Sequence, residues 1–427
     1  MKFESSLKFA RQLDRSDPLR SYRSAFKIPK INGKTSIYFT GNSLGLQPLL
    51  TSRYLKEELD DWATLGVEGH FHARRPWLYY HRFTKKALAR LTGAKPTEVV
   101  AMNQLTVNLH MMLATFYRPT DKRYKILAEA GAFSSDQYAL ESQLKWHQLD
   151  PTDALIEISP RPGEFILRTD DIVDTIKKNG ERLALVLLGG VQYYTGQLFD
   201  IKSITAAAHN VGATAGFDLA HAIGNVPLSL HRDDVDFAVW CSYKYLNAGP
   251  GGLAGVYVHE KYANDRTLPR LAGWWGYDER ERFEMKKGFI PMHGADGWQV
   301  SNVPILQAAA LLAALQPFDE AGMPALRRKS IQLTGYLEYW LQEINPDKRY
   351  FSIITPSDPR QRGCQLSIFM KDNGKRISDA LMRNGIVTDW REPNVIRAAP
   401  VPLYNSFEDV YVFATTLKKE IEKLKWD

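Results

Sequence analysis

Between Gly216 and Gly252 the chain reads GFDLAHAIGNVPLSLHRDDVDFAVWCSYKYLNAGPGG, and no other stretch restricts the fold as strongly. Two strand-like apolar runs lie close together there. The first closes on Asp218, and the second, Val235 to Cys241, is followed by Lys244. The β-branched, apolar density of the second suits a strand buried on both faces, as in a parallel sheet covered by helices. In such a sheet the carboxyl ends of the strands open on the ligand crevice, so this carboxylate and this amine are expected to face one site. One chemistry accounts for both: pyridoxal phosphate carried covalently by Lys244, with Asp218 keeping the pyridine nitrogen protonated so that the ring withdraws electrons.

The rest of the chain repeats the same grammar. From about residue 61 to 304 helix and strand patterns alternate, which predicts a doubly wound or three-layer α/β/α domain with a mostly parallel sheet. Strands are expected at Lys125 to Glu129, at Leu183 to Leu188 and up to Asp218. A helix opens near Ala132 to Asp136, and Asp200 caps another that runs from Ile201 to His209. Gly69 to Trp77 reads as an irregular loop. Thr106, at the mouth of a helical run from Val107 to Tyr117, can cap that helix, and the free N–H groups of the same helix start also suit a phosphate. Residues 1–60 read as an N-terminal arm, 61–304 as the large domain and 305–427 as a small α+β domain. The last is predicted to be helical from Pro304 to Ile344, then mixed, with a final helix from Ser406. The arm is expected to pack with the small domain.

Composition serves mainly to exclude. A chain of 427 residues is too long for one ordinary core. Its formal net charge of +7 invites a nucleic-acid reading, but 48 acidic residues are interspersed with the basic ones, so a solvated surface is the simpler reading. The two cysteines, Cys241 and Cys364, have no metal-like spacing, so neither a metal site nor a disulfide framework is expected, and a reducing compartment is. The charged start lacks the apolar segment of a signal peptide, and the longest apolar run, Leu183 to Leu188, is far short of a membrane span. The chain therefore reads as a cytoplasmic protein.

Between about Tyr38 and Asn405 the sequence resembles the kynureninases, pyridoxal-phosphate enzymes of the aspartate-aminotransferase fold. Asp-Leu-Ala-His at 218–221 and Ser-Tyr-Lys-Tyr at 242–245 are shared widely in that superfamily. More specific are GNSLGLQP at 41–48, LTVNLH at 105–110, GWWG at 273–276 and RAAPVPLYN at 397–405. The resemblance implies that Leu105, Thr106 and the indole N–H of Trp274 hold the cofactor phosphate. It also implies that Phe133 stacks on the pyridine ring, that Asp136 meets the ring edge, and that His221, Tyr243 and Asn302 complete the cofactor site. Ser43 would meet the amino-acid end of the substrate, and His70, Ser301 and Asn302 would surround its aryl ring. Arg397 would clamp the α-carboxylate with its planar fork. At Gly189 some relatives carry a serine, so one cofactor contact is absent here.

By the same resemblance the protein is expected to be a homodimer with its active sites at the interface, acting in tryptophan catabolism and NAD biosynthesis. Its reaction would hydrolyse L-kynurenine or 3-hydroxy-L-kynurenine to the corresponding anthranilate and L-alanine, with Lys244 as base and Tyr243 as proton donor. For that donor role the phenol is expected to have a lowered pKa. Two alternatives stand beside this reading. A cysteine desulfurase or selenocysteine lyase would need a nucleophilic cysteine on a mobile loop, and a non-catalytic ligand-binding module would not need Lys244, Asp218 and Arg397 together.

Overall fold

The computed structural model describes residues 2–424. Its centre is a seven-stranded sheet made of β1 (Val99–Ala101), β2 (Lys125–Glu129), β3 (Leu155–Ile158), β4 (Leu183–Gly189), β5 (Thr214–Asp218), β6 (Phe237–Trp240) and β7 (Gly255–Val258). The strands lie in the order β1-β7-β6-β5-β4-β2-β3. β7 is antiparallel to both of its neighbours and every other pairing is parallel. The central strands are buried along nearly their whole length, which is why their sequences run apolar without alternation. Helices cover the sheet, and two apolar clusters, one including Phe217 and Trp240 and the other Phe237 and Val256, occupy its surroundings. The α/β class with a mostly parallel sheet is thus as expected.

A second, antiparallel sheet is built from β8 (Phe351–Ile353), β9 (Leu366–Met370), β10 (Asp389–Arg391) and β11 (Val395–Ala398), in the order β8-β9-β11-β10. The start of the chain joins this part. Ile37–Tyr38 pairs in parallel with Ile386–Val387, and helix Leu7–Ser16 packs on the final helix Phe407–Glu422. Asp14 accepts the backbone N–H groups of Phe407 and Glu408 at 2.7 and 3.0 Å, which sets a carboxylate on the positive end of that helix. Ser406, where the sequence placed the start of this helix, is its cap residue.

One local expectation is refined and one corrected. The run after Pro304 is two helices, Ile305–Ala321 and Met323–Ile344, because Gly322 turns left-handed at φ +72° and stops the first. Ile305–Ala321 packs on Leu49–Leu65 and Tyr80–Thr92, beside the large sheet, whereas the later helix faces the small one. Gly69–His72 forms a short helix instead of an irregular loop. Its neighbourhood is fixed by buried Glu58, which accepts from Arg75, from Trp77 Nε1 at 3.0 Å and from the Tyr80 hydroxyl at 2.8 Å. No helix among the described residues is long and apolar enough to cross a membrane.

Candidate active site

The parallel strands deliver their last residues to one edge of the sheet. β2 ends at Glu129, β4 at Gly189 and β5 at Asp218, while Lys244 follows β6 and the helix Leu105–Phe116 follows β1. One cavity is lined by Leu105, Thr106, Phe133, Asp136, Asp218, His221, Tyr243 and Lys244, together with Glu129, Ser135, Gly189 and Tyr193. Eight residues singled out in the sequence therefore meet in space although they span about 140 positions of chain.

Lys244 is the cavity's lysine. Its Nζ lies 2.9 Å from His221 Nε2 and 5.8 Å from the ring centroids of Phe133 and Tyr243. Desolvation and the positive charge of Lys244 push the His221 imidazole well below its usual range, so the ring is neutral and its Nε2 accepts from the ammonium. Asp218 is half-buried at the mouth of its strand and accepts the Ala220 N–H at 2.7 Å. Burial pushes its pKa up while Lys244 opposes that rise, and Asp136 lies close enough to share a proton with it. Asp136 itself is raised further, by desolvation and then by Asp218, which makes Asp136 the protonated partner of the pair.

The loop between β6 and β7 is locked in place by its own backbone. Gly45 donates its N–H to the Tyr243 carbonyl at 2.8 Å, and a Cβ at Gly45 would overlap the Lys244 carbonyl and the Asn247 amide. Gly45→Ala is therefore expected to displace the lysine loop at a cost of about 1–3 kcal/mol of stability. Thermal unfolding of the variant checks this, and an unchanged melting temperature would mean the loop yields freely.

Residues expected elsewhere in the site divide into two groups. Arg397, on β11, is 2% exposed; it donates to Asp389 and, at 2.6 Å, to the Tyr193 carbonyl. Tyr193 lines the Lys244 cavity and stacks edge-on against Phe133, so the arginine stands directly behind the cavity wall. Its Nε is buried with no partner among the described residues. Ser43, His70, Trp274, Ser301 and Asn302, in contrast, do not line the cavity within one chain. His70 packs edge-on against Trp77 with ring centroids 5.5 Å apart, and the Trp274 indole N–H donates to the Arg282 carbonyl at 3.3 Å. Ser43, Ser301 and Asn302 are exposed.

Two site expectations are corrected. Thr106 does not cap its helix: Gln104 occupies the cap position without a side-chain bond, and the Thr106 hydroxyl instead lies 2.7 Å from that of Ser135. The Tyr243 phenol is not lowered. Burial, with the Cys241 thiol beside it, pushes it up, so the phenol stays protonated and is a weaker acid than a free tyrosine, contrary to the expectation. Glu129, Ser135 and Tyr193 were missed as site residues. Glu129 closes an apolar strand just as Asp218 does, and that parallel was the available signal.

These residues fit pyridoxal phosphate. A helix start with uncapped N–H groups and two adjacent hydroxyls offers a seat for a phosphate. Phe133 provides an aromatic wall and Asp218 a half-buried carboxylate. His221 Nδ1 and Asp136 Oδ1 are buried with no partner among the described residues, which leaves polar atoms for a bound molecule to satisfy. A metal is less well served. Glu98, His231 and His259 converge within 4.8 Å, but Glu98 Oε1 already accepts from the Glu260 N–H and pairs with His231 Nδ1, while His259 Nδ1 accepts from the Lys261 N–H.

Comparisons with known proteins agree with this geometry. Residues 326–417 match the family model described as the kynureninase C-terminal domain. The kynureninase of Flavobacterium psychrophilum is 54% identical over 422 residues, covering 99% of each chain. That of Myxococcus xanthus is 56% identical over 417 residues, 97% of each. Among solved structures, the cysteine desulfurase of Thermococcus onnurineus NA1 superimposes with a TM-score of 0.76 at 17% identity, over 99% of this chain and 100% of its own. A variant of the enzyme C-DES with glycine covalently linked to its PLP cofactor gives 0.74 at 18%, over 90% of this chain and 96% of that one. At such identities the structural likeness speaks for the fold alone.

Proposed function

This chain belongs to the kynureninase family, and we infer that it is a pyridoxal-phosphate-dependent hydrolase that cleaves a carbon–carbon bond of L-kynurenine or its 3-hydroxy derivative, releasing L-alanine and the corresponding anthranilate. The observation that carries this reading is a near-full-length identity of more than half, in a chain whose Lys244, Asp218 and His221 share one cavity. Incubation of the purified protein with pyridoxal phosphate and L-kynurenine tests it. Equimolar anthranilate and alanine are expected, and absence of both products with either substrate would overturn it.

Bound in the cavity, pyridoxal phosphate supplies an electron sink for negative charge developing on the substrate. The protein's share of the work follows from its own groups. Lys244 Nζ, beside neutral His221, is the base that takes the α-proton. Asp218, enclosed and opposed by one lysine, provides the fixed negative charge. Tyr243 keeps its phenolic proton for transfer to the departing alanyl carbon, and Arg397 binds the α-carboxylate. Sulfur chemistry on the same fold is disfavoured. Cys364 is fully buried with its thiol pushed up to about 12 by desolvation, and Cys241 is buried with its thiol at about 11, so neither is a nucleophile on a mobile loop.

The finer readings belong to the same proposal. The chain works as a homodimer whose partner supplies His70, Ser301, Asn302 and Trp274 to the site. Two observations support this: these residues stand away from the Lys244 cavity of their own chain, and Trp62, Val67, Phe71, Trp274, Phe283 and Met285 expose large apolar surfaces. A cytoplasmic location and a role in tryptophan catabolism and NAD biosynthesis complete the reading. So does a division into an N-terminal arm, a cofactor-binding unit up to about residue 304 and a C-terminal unit, with Ile305–Ala321 leaning on the cofactor-binding unit.

A preference between substrates follows from the polarity of His70, Ser301 and Asn302. A ring hydroxyl gains hydrogen bonds from such groups, and its absence leaves buried polar atoms unpaired at a cost of roughly 1–3 kcal/mol. The expected result is kcat/KM about tenfold or more higher for 3-hydroxykynurenine, levelled or reversed by His70→Trp with Asn302→Thr. Steady-state kinetics with both substrates measure it, and equal turnover of kynurenine by the wild type would sink the idea.

A further inference from the structure

Glu129, Gly189 and Asp218 are the last residues of three neighbouring parallel strands, β2, β4 and β5, and Asp218 stands directly opposite Gly189 in register. Position 189 carries no side chain, and a Cβ there would lie 3.4 Å from Glu129 Oε1, so the Glu129 carboxyl reaches over the end of the strand that lies between it and Asp218. Glu129 is buried, lines the Lys244 cavity, and lies within reach of the Gln192 side chain and the Gly189 N–H. No ion pair holds it among the described residues. The charged and titratable groups that share its cavity are Asp218 from β5, Asp136 from the helix Ser134–Trp146, Lys244, Tyr243 and His221 from the loops beyond β6 and β5, and Tyr193 from the loop beyond β4. Three carboxyl groups thus crowd one enclosed space that contains a single lysine.

We propose that Glu129 is a positioning residue for Asp218, acting as an uncharged carboxylic acid that bridges the gap left by Gly189 and leaves Asp218 as the anion of the cavity floor. This rests on the reading of the cavity as a pyridoxal-phosphate site, because only a bound pyridinium gives a single fixed anion its purpose. Like charges in a desolvated space cannot all be ionised, and Lys244 faces Asp218 and Asp136, so Glu129 stays neutral against the opposing pull of the Gln192 side chain and the Gly189 N–H. Burial, and after it the charge of Asp218, pushes the Glu129 carboxyl up to about 8, in agreement with this assignment.

The linkage has a definite sign. Between the unfolded carboxyl range and about pH 8 the unfolded chain releases the Glu129 proton while the folded chain keeps it, so the wild type loses stability as pH rises through that window. Glu129→Gln cannot titrate. Melting curves of the cofactor-free protein between pH 5 and 8.5 are therefore expected to show the glutamine variant gaining on the wild type by roughly 3–6 °C across the window. A constant offset would overturn the proposal. A second readout addresses positioning. Glutamine reproduces both the acceptor and the donor of a carboxylic acid, and leucine reproduces neither, so the visible absorbance band of bound cofactor should keep its wild-type position in Glu129→Gln and move in Glu129→Leu. An unmoved band in the leucine variant would overturn the role. Failure of the wild type to bind pyridoxal phosphate at all would instead strike the functional reading and leave the melting result standing.

Discussion

Lys244→Ala is expected to lower kcat by roughly 10⁴-fold, the upper range for loss of a positioned general base. It is the lysine of the cavity, and no other basic side chain lining it can replace its Nζ, because His221 is desolvated and held neutral. Borohydride reduction of the wild type with pyridoxal phosphate, followed by proteolysis and mass spectrometry, should find the cofactor fixed on the peptide containing Lys244. The variant should still retain the cofactor noncovalently, since the uncapped helix start at Leu105 and the Thr106 and Ser135 hydroxyls are untouched. A modified lysine at any other position would defeat the assignment.

Arg397→Lys is expected to reduce kcat/KM by roughly 30- to 5,000-fold, corresponding to about 2–5 kcal/mol for loss of a desolvated, hydrogen-bonded charge. The guanidinium spends one nitrogen on Asp389 and another on the Tyr193 carbonyl, so its plane is fixed before any substrate arrives. An ammonium on a flexible stem can serve one of these partners but cannot reproduce the fork. The cofactor's absorbance should remain normal because Arg397 stands behind Tyr193 and outside the immediate lining of the Lys244 cavity. Steady-state kinetics together with a cofactor titration separate the two effects. Unchanged kinetic constants would move the carboxylate site elsewhere.

Much of this site was legible because it is written at strand ends. Asp218, Lys244 and the start of the helix at Leu105 each follow a buried apolar run, and a parallel sheet brings such positions to one edge whatever the loops do. Glu129 obeys the same rule and was still overlooked, because a glutamate closing a strand looks like an ordinary solvated terminus until Gly189 is seen beside it. The breaks in the fold were legible only in part. Gly322 could be read as an interruption of the long helical run, but nothing local says that Ile305–Ala321 turns toward the large sheet and Met323–Ile344 toward the small one. The short helix at Gly69–His72 depends on Glu58 gathering Arg75, Trp77 and Tyr80 across 17 to 22 positions, a contact that no window of sequence contains.

The sequence alone determined the alternation that makes a parallel sheet, the placement of one lysine and one carboxylate at its ends, and through its motifs the family. These are properties of local pattern and residue type. Tertiary structure decided the charge states. His221 is neutral because it is enclosed beside Lys244; Tyr243 is raised instead of lowered because the same enclosure disfavours a phenolate; and Asp136 holds the proton next to Asp218 because the two meet only after β5 and the helix Ser134–Trp146 pack together. Desolvation and charge proximity are functions of distance in space, and a linear chain carries no record of either until it folds.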